Sequence, residues 1–155
     1  MKIAEALQER ADLNRRIESL RIRLNTNAIV QEGEKTPEDP LQLIEELERC
    51  SERLEKLIMR INLTNSFTLV DGTSLTALIA KKDVMTNKIS VYRDFLLCAS
   101  NVAQRAKRTE IKILSTVDVA QLQKKIDDMS KELRQLDNKI QAANWTTELG
   151  GDEIE

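Results

Sequence analysis

Apolar residues recur along most of the chain at alternating spacings of three and four, the repeat of a helix face that packs against another helix. This pattern predicts four amphipathic helices, at about residues 2–25, 40–62, 74–108 and 118–144. The last of them has the most regular repeat, formed by Leu122, Ile126, Met129, Leu133, Leu136, Ile140 and Ala143. We therefore predict an all-α fold, a helical bundle in which long helices pair as antiparallel coiled-coil-like hairpins.

The connections between these helices contain residues that start helices or close turns. Asp39 is suited to the N-cap of the second helix, with Pro40 in its first turn. Asp71-Gly72 is typical of a turn that closes a short extended segment. Residues 110–116 alternate apolar and polar side chains, so we expect one very short β pairing between about 66–70 and 110–116.

Two of the predicted helices carry a second apolar stripe beside the main one. In the second helix it consists of Ile44, Ser51 and Ile58, and in the third of Ile79, Phe95, Cys98 and Val102. Four helices in one bundle do not need that much apolar circumference. We therefore expect the chain to self-associate as a homo-oligomer.

Length and composition narrow the class of protein. The 155 residues fit a single helical domain at 1–149, followed by a disordered tail at 150–155. A net charge of −2 argues against nucleic acid as a partner. The apolar runs are far shorter than the roughly 20 residues that a membrane span needs, and we find no signal peptide. We expect a cytoplasmic protein; a membrane partner is not favoured but stays open. Cys50 and Cys98 are expected to be reduced core residues.

Net charge alternates in sign from one predicted helix to the next, which favours pairing of the first helix with the second and of the third with the fourth.

The chain contains no His, so the commonest general base and transition-metal ligand are absent. No Gly-rich phosphate loop or activated nucleophile is found either. We therefore predict a non-enzymatic protein with no catalytic residues, no cofactor and no metal site.

Polar residues in two connections leave a further hypothesis open, that the protein binds a metal or a small molecule. Clustered carboxylates can hold a hard cation, and amides can line a polar pocket, although loops also use such residues to cap helices. The possible site consists of Glu32, Glu34, Glu38, Arg60, Asn62 and Asn65.

Trp145 is the only Trp, and we predict that it packs against another helix or a neighbouring subunit and so holds the C-terminus.

Particular segments give the chain a family resemblance. These are Gln31-Glu32-Gly33-Glu34, followed by Pro37-Glu38-Asp39-Pro40, and the C-terminal run Asn144-Trp145-Thr146-Thr147-Glu148-Leu149. In them the chain resembles the septicolysin-like family of small bacterial helical proteins of unknown function. The resemblance implies a bacterial, all-helical, oligomeric protein. The family name implies a haemolysin, so a membrane-active, pore-forming protein is the alternative function.

Overall fold

The computed structural model describes residues 1–101 and 112–151, and helices dominate both ranges. The elements are α1 (Ile3–Thr26), α2 (Pro40–Phe67), β1 (Leu69–Val70), β2 (Thr73–Ser74), α3 (Leu75–Ser100) and α4 (Val119–Thr146). The all-α prediction is confirmed. Helix α2 continues to Phe67 instead of ending near residue 62, and residues 102–108 of the predicted third helix lie outside the described residues.

The helix starts follow the local capping chemistry. The Asp39 carboxylate accepts a hydrogen bond from the backbone N–H of Leu41 at 2.9 Å, and Pro40 takes the first helical position. The hydroxyl of Ser74 caps α3 in the same way, through the N–H of Ala77 at 3.2 Å. These side chains satisfy backbone donors that have no partner inside a helix.

Strands β1 and β2 form a two-residue hairpin that precedes α3. Asp71 and Gly72 join them with φ angles of 50° and 80°, which matches the two positive φ angles of a type I′ turn. The predicted pairing with 110–116 is not found among the described residues: β1 pairs with β2 and residues 112–116 contain no strand, while 110–111 lie outside the described residues. An adjacent pair closes the shorter loop and loses less chain entropy.

The first of two compact units comprises Met1–Leu69 and the C-terminal residues from Ala143 onward. Here α1 and α2 pack closely, as the charge pattern predicted. Among the described residues, their core includes a cluster of Leu20, Leu43 and Cys50 and a cluster of Ala6, Leu57, Ile61 and Leu149. The heptad residues of both helices supply most of this core.

The second unit spans Val70–Ala142 and contains α3 with most of α4. The Cα atoms of these two helices stay almost everywhere more than 8 Å apart, and long side chains bridge the helices. Lys81 pairs with Glu132 at 3.0 Å, and Lys82 pairs with Asp137 at 2.5 Å. Along the whole of α3 only Leu75 and Ile89 are buried. The assignment of one domain to the chain stays a prediction.

Candidate functional site

The polar residues proposed from sequence do not come together. Glu38 lies just before α2, whereas Arg60 lies near the other end of that helix. A helix rises about 1.5 Å per residue, which places them roughly 30 Å apart. The six residues therefore form two separate groups within the first unit, and the single polar site proposed from sequence is wrong.

The group at Glu38 holds the connection between α1 and α2. The guanidinium of Arg23 donates from Nε to both Glu38 carboxylate oxygens, at 3.0 and 3.1 Å. The buried amide of Asn27 accepts the Glu38 backbone N–H at 3.1 Å. Hydrogen bonding from Arg23 lowers the pKa of Glu38 below its ordinary value of 4.5. Glu38 is thus committed to a structural ion pair.

The remaining carboxylates of that connection, Glu32 and Glu34, are exposed. Within the described ranges, no three Cys, Asp or Glu side chains are grouped closely enough to hold a metal ion. Next to these carboxylates the loop forms a turn, in which the Glu34 N–H donates to the carbonyl of Gln31 at 3.0 Å. The geometry therefore gives no support to a cation site here.

At the other end of α2, Arg60 and Thr64 hold the C-terminal segment. Arg60 Nε donates to the carbonyl of Gly150 at 2.9 Å, and the Thr64 hydroxyl accepts the Gly150 N–H at 3.0 Å. Gly150 is therefore fixed, which corrects the predicted disordered tail at its first residue, while 152–155 lie outside the described residues. Asn62 is exposed, and Asn65 is buried with no hydrogen-bond partner for its Oδ1 among the described atoms.

Backbone pairing completes this end of the first unit. The Ile3 N–H donates to the carbonyl of Thr147 at 3.0 Å, and the Leu149 N–H donates to the carbonyl of Met1 at 2.8 Å. Between them, Lys2 Nζ pairs with Glu148 Oε1 at 2.6 Å. Contacts on both sides of Glu148 thus join the start of α1 to the end of the described chain.

Leu149, and not Trp145, anchors the C-terminus. Leu149 is 5% exposed, whereas Trp145 is 62% exposed. The prediction that Trp145 packs against another helix of its own chain is wrong; cover by a neighbouring subunit stays a prediction. The seam residues at this end of α4 are Ala143 and Asn144, both buried, so the next position along the helix points away from the seam.

In the second unit, a cleft of about 270 Å³ lies between α4 and the region of the β-hairpin and α3. Two ion pairs line it: Lys139 with Asp71 at 2.7 Å and Lys81 with Glu132 at 3.0 Å. Each cation already has an anion, so the cleft offers no unmatched charge to a ligand. The two ion pairs link α4 to the hairpin and to α3, and they do not present a reactive group.

The apolar stripes of α2 and α3 give the clearest functional feature. On α2, Ile44 is 44% exposed, Ile58 38% and Met59 39%. On α3, Val84 is 67% exposed and Val91 66%. Ile44 and Ile58 belong to the α2 stripe predicted from sequence, whereas Met59 was not part of that prediction. The two valines were missed, although their spacing of seven was a signal for one helix face.

Other predicted residues of the α3 stripe have mixed positions. Phe95 is 45% exposed and Ile79 is half-buried, while Val102 lies outside the described residues. Cys50 is buried as predicted, but Cys98 is exposed, and both thiols are free. The prediction of two core cysteines is therefore wrong for Cys98, because it lies on the face of α3 opposite Ile89.

The chain belongs to a family of unknown function, DUF6847, whose family model matches residues 10–149. It is also similar to a solved protein described as a functionally unknown conserved protein from Corynebacterium diphtheriae, with 38% identity over 97% of this chain and 99% of that one, and a TM-score of 0.89. A comparison with curated proteins gave no significant match.

These findings correct the septicolysin-like resemblance, because neither the family nor the solved relative points to it. The pore-forming alternative was drawn from that family's name and loses this basis. In the described ranges, the helices are all too short or too polar to cross a membrane. The relative supports the expectation of a bacterial, all-helical protein of uncharacterised function.

Proposed function

We propose that this protein is a non-enzymatic, self-associating helical protein, and that the apolar faces of α2 and α3 form its contacts. The observation that carries the proposal is the exposure of Val84 and Val91, at 67% and 66%, on a helix that buries so few of its own residues. Single exposed apolar residues are normal on a protein surface. Apolar residues repeated every seven positions are typical of a face that packs against a helix.

The two helices differ in how much of their apolar circumference is used. On α2, Leu57 and Ile61 are buried, while Ile44 and Ile58 of the second stripe remain partly exposed. On α3, even the main stripe is largely half-buried. Burial of further apolar area contributes about 25 cal/mol per Å² and thus favours a partner at these faces.

We also place the protein in the cytoplasm. An exposed free thiol such as that of Cys98 is readily oxidised in an oxidising compartment. The buried free thiol of Cys50 is equally compatible with reducing conditions.

Light scattering coupled to size exclusion at micromolar concentration tests self-association. We expect a multiple of the 17.7 kDa chain mass. Ile58→Glu or Val84→Glu should lower the measured mass and leave the far-UV circular dichroism unchanged, since both positions are partly exposed. Ile22→Glu is the matched control: it puts the same charge at a 57% exposed isoleucine of α1, outside both faces. A strict monomer for the wild-type chain would refute the proposal.

A further inference from the structure

We infer that α2 of one copy binds α3 of a second copy in an antiparallel pair, and that two such contacts form a twofold dimer. The inference rests on the proposed self-association and adds which faces meet and in which direction. It is carried by the charges beside the two apolar faces.

The α2 face consists of Ile44, Ser51 and Ile58, spaced seven residues apart, with Glu48 and Glu55 along one edge. All five side chains are exposed. Neither Glu48 nor Glu55 takes part in a salt bridge or side-chain hydrogen bond with a described residue. The α2 face is therefore an apolar stripe with a free acidic edge.

The α3 face consists of Ala77, Val84 and Val91, again spaced seven residues apart, with Lys81 and Lys88 along one edge. All five are exposed. Lys81 pairs with Glu132 at 3.0 Å, whereas Lys88 has no carboxylate partner among the described residues and lies 6.0 Å from the ring centroid of Tyr92. The α3 face is therefore an apolar stripe with a basic edge.

The positions of the charges set the direction of pairing. Glu48 follows Ile44 by four residues, and Lys88 follows Val84 by four, so the two charges occupy the same heptad position. Equivalent edge positions of two paired helices face each other only when the helices run antiparallel. That arrangement puts Lys88 beside Glu48. The seven-residue spacing of each row, about 10.5 Å along a helix, then puts Glu55 at the level of Lys81. Because Lys81 already pairs with Glu132, the charge complementarity rests on Lys88 and Glu48.

The same geometry selects a second copy of this chain in that arrangement. An antiparallel pair of two α2 faces would put glutamates against glutamates, and a pair of two α3 faces would put lysines against lysines. Each chain carries one acidic and one basic face. In a twofold dimer, the acidic face of each copy therefore meets the basic face of the other copy, in two equivalent contacts.

A charge exchange tests the inference. Glu48→Lys and Lys88→Glu should each raise the dimer dissociation constant roughly tenfold, because the twofold axis turns two attractive pairs into two repulsive ones. An equimolar mixture of the two variants should regain wild-type affinity through heterodimers. The chain that carries both substitutions should regain it alone. Sedimentation velocity over a concentration series measures all four samples.

Glu32→Lys is the control, since it makes the same charge change at an exposed glutamate of the connection between α1 and α2, which belongs to neither face. It should leave the dissociation constant within about twofold of wild type. Circular dichroism of every variant checks that the helices are intact.

The outcomes separate the inference from the proposed function. A monomeric wild-type chain overturns both. A wild-type dimer whose affinity neither substitution changes leaves self-association standing and overturns the α2–α3 pairing. Weakening by both substitutions without recovery in the mixture also overturns it, since that result excludes contact between positions 48 and 88.

Discussion

Leu149→Ala gives the sharpest test of how the first unit is held together. Leu149 lies after the end of α4, yet it is 5% exposed and belongs to the cluster of Ala6, Leu57 and Ile61. Its backbone N–H also donates to the Met1 carbonyl at 2.8 Å. A substitution to Ala removes the apolar side chain and leaves that hydrogen bond in place.

The expected loss follows from the burial of the side chain. Leu and Ala differ by three carbons, and burial of each contributes about 0.8 kcal/mol, or about 2.4 kcal/mol in all. The cavity left behind adds to this, so Leu→Ala changes in cores cost about 2–5 kcal/mol. For Leu149 we expect a loss of about 3 kcal/mol in the free energy of unfolding.

Chemical denaturation followed by circular dichroism measures this loss, with the wild-type m-value checked in the same experiment. Ile29→Ala is the control, because Ile29 belongs to the same unit and is 89% exposed. It should change the free energy by less than about 0.5 kcal/mol. A loss below 1 kcal/mol for Leu149→Ala would contradict the anchoring role that we assign to this residue.

Three further predictions concern titration and reactivity. Hydrogen bonding from Lys125 lowers the pKa of Tyr92 below 10.0, so Lys125→Ala should move the ultraviolet titration of this sole tyrosine to higher pH. Hydrogen bonding also lowers the pKa of Glu38 below 4.5. The ionised Glu38 side chain therefore stabilises the fold fully above pH 4.5, and this stabilisation is lost as the pH falls through the pKa of Glu38 in the folded protein. Glu38→Gln should make acid unfolding depend less steeply on pH in that range. Cys98 should react with a thiol reagent in the folded protein, whereas Cys50 should react only on unfolding, as absorbance of the released chromophore would show.

Those parts of the fold that depend on local periodicity could be predicted from the sequence. The three-and-four spacing gave the helices, and Asp39 and Ser74 fixed where two of them begin, since caps act within one turn. The strand pairing could not be obtained from alternation alone. The stronger signal was the turn, because Asp71-Gly72 permits the positive φ angles that join neighbouring strands.

Contacts between distant parts of the chain were harder to predict. The pairing of Ile3 with Thr147 is made by backbone atoms, so no side-chain pattern announces it. Leu149 continued no heptad, and its burial depends on where the chain turns after α4. The size of Trp145 suggested that this residue anchors the C-terminus, a role that Leu149 has instead. Burial of a residue on a helix depends on the direction in which its side chain points, and size alone does not set that direction.

The distribution of charge partners explains why we look for function on a helix face and not in a cleft. Within the first unit, Arg16 pairs with Glu46 at 2.7 Å across α1 and α2, and in the second unit the lysines of the cleft are matched by Asp71 and Glu132. These charges stabilise contacts that already exist. The glutamates of the α2 face have no such partner among the described residues. A free charge beside a solvated apolar stripe does little for an isolated chain, since water solvates both. It gains a role when a complementary face excludes that water, because the charges then fix direction and register while the apolar residues supply the binding free energy.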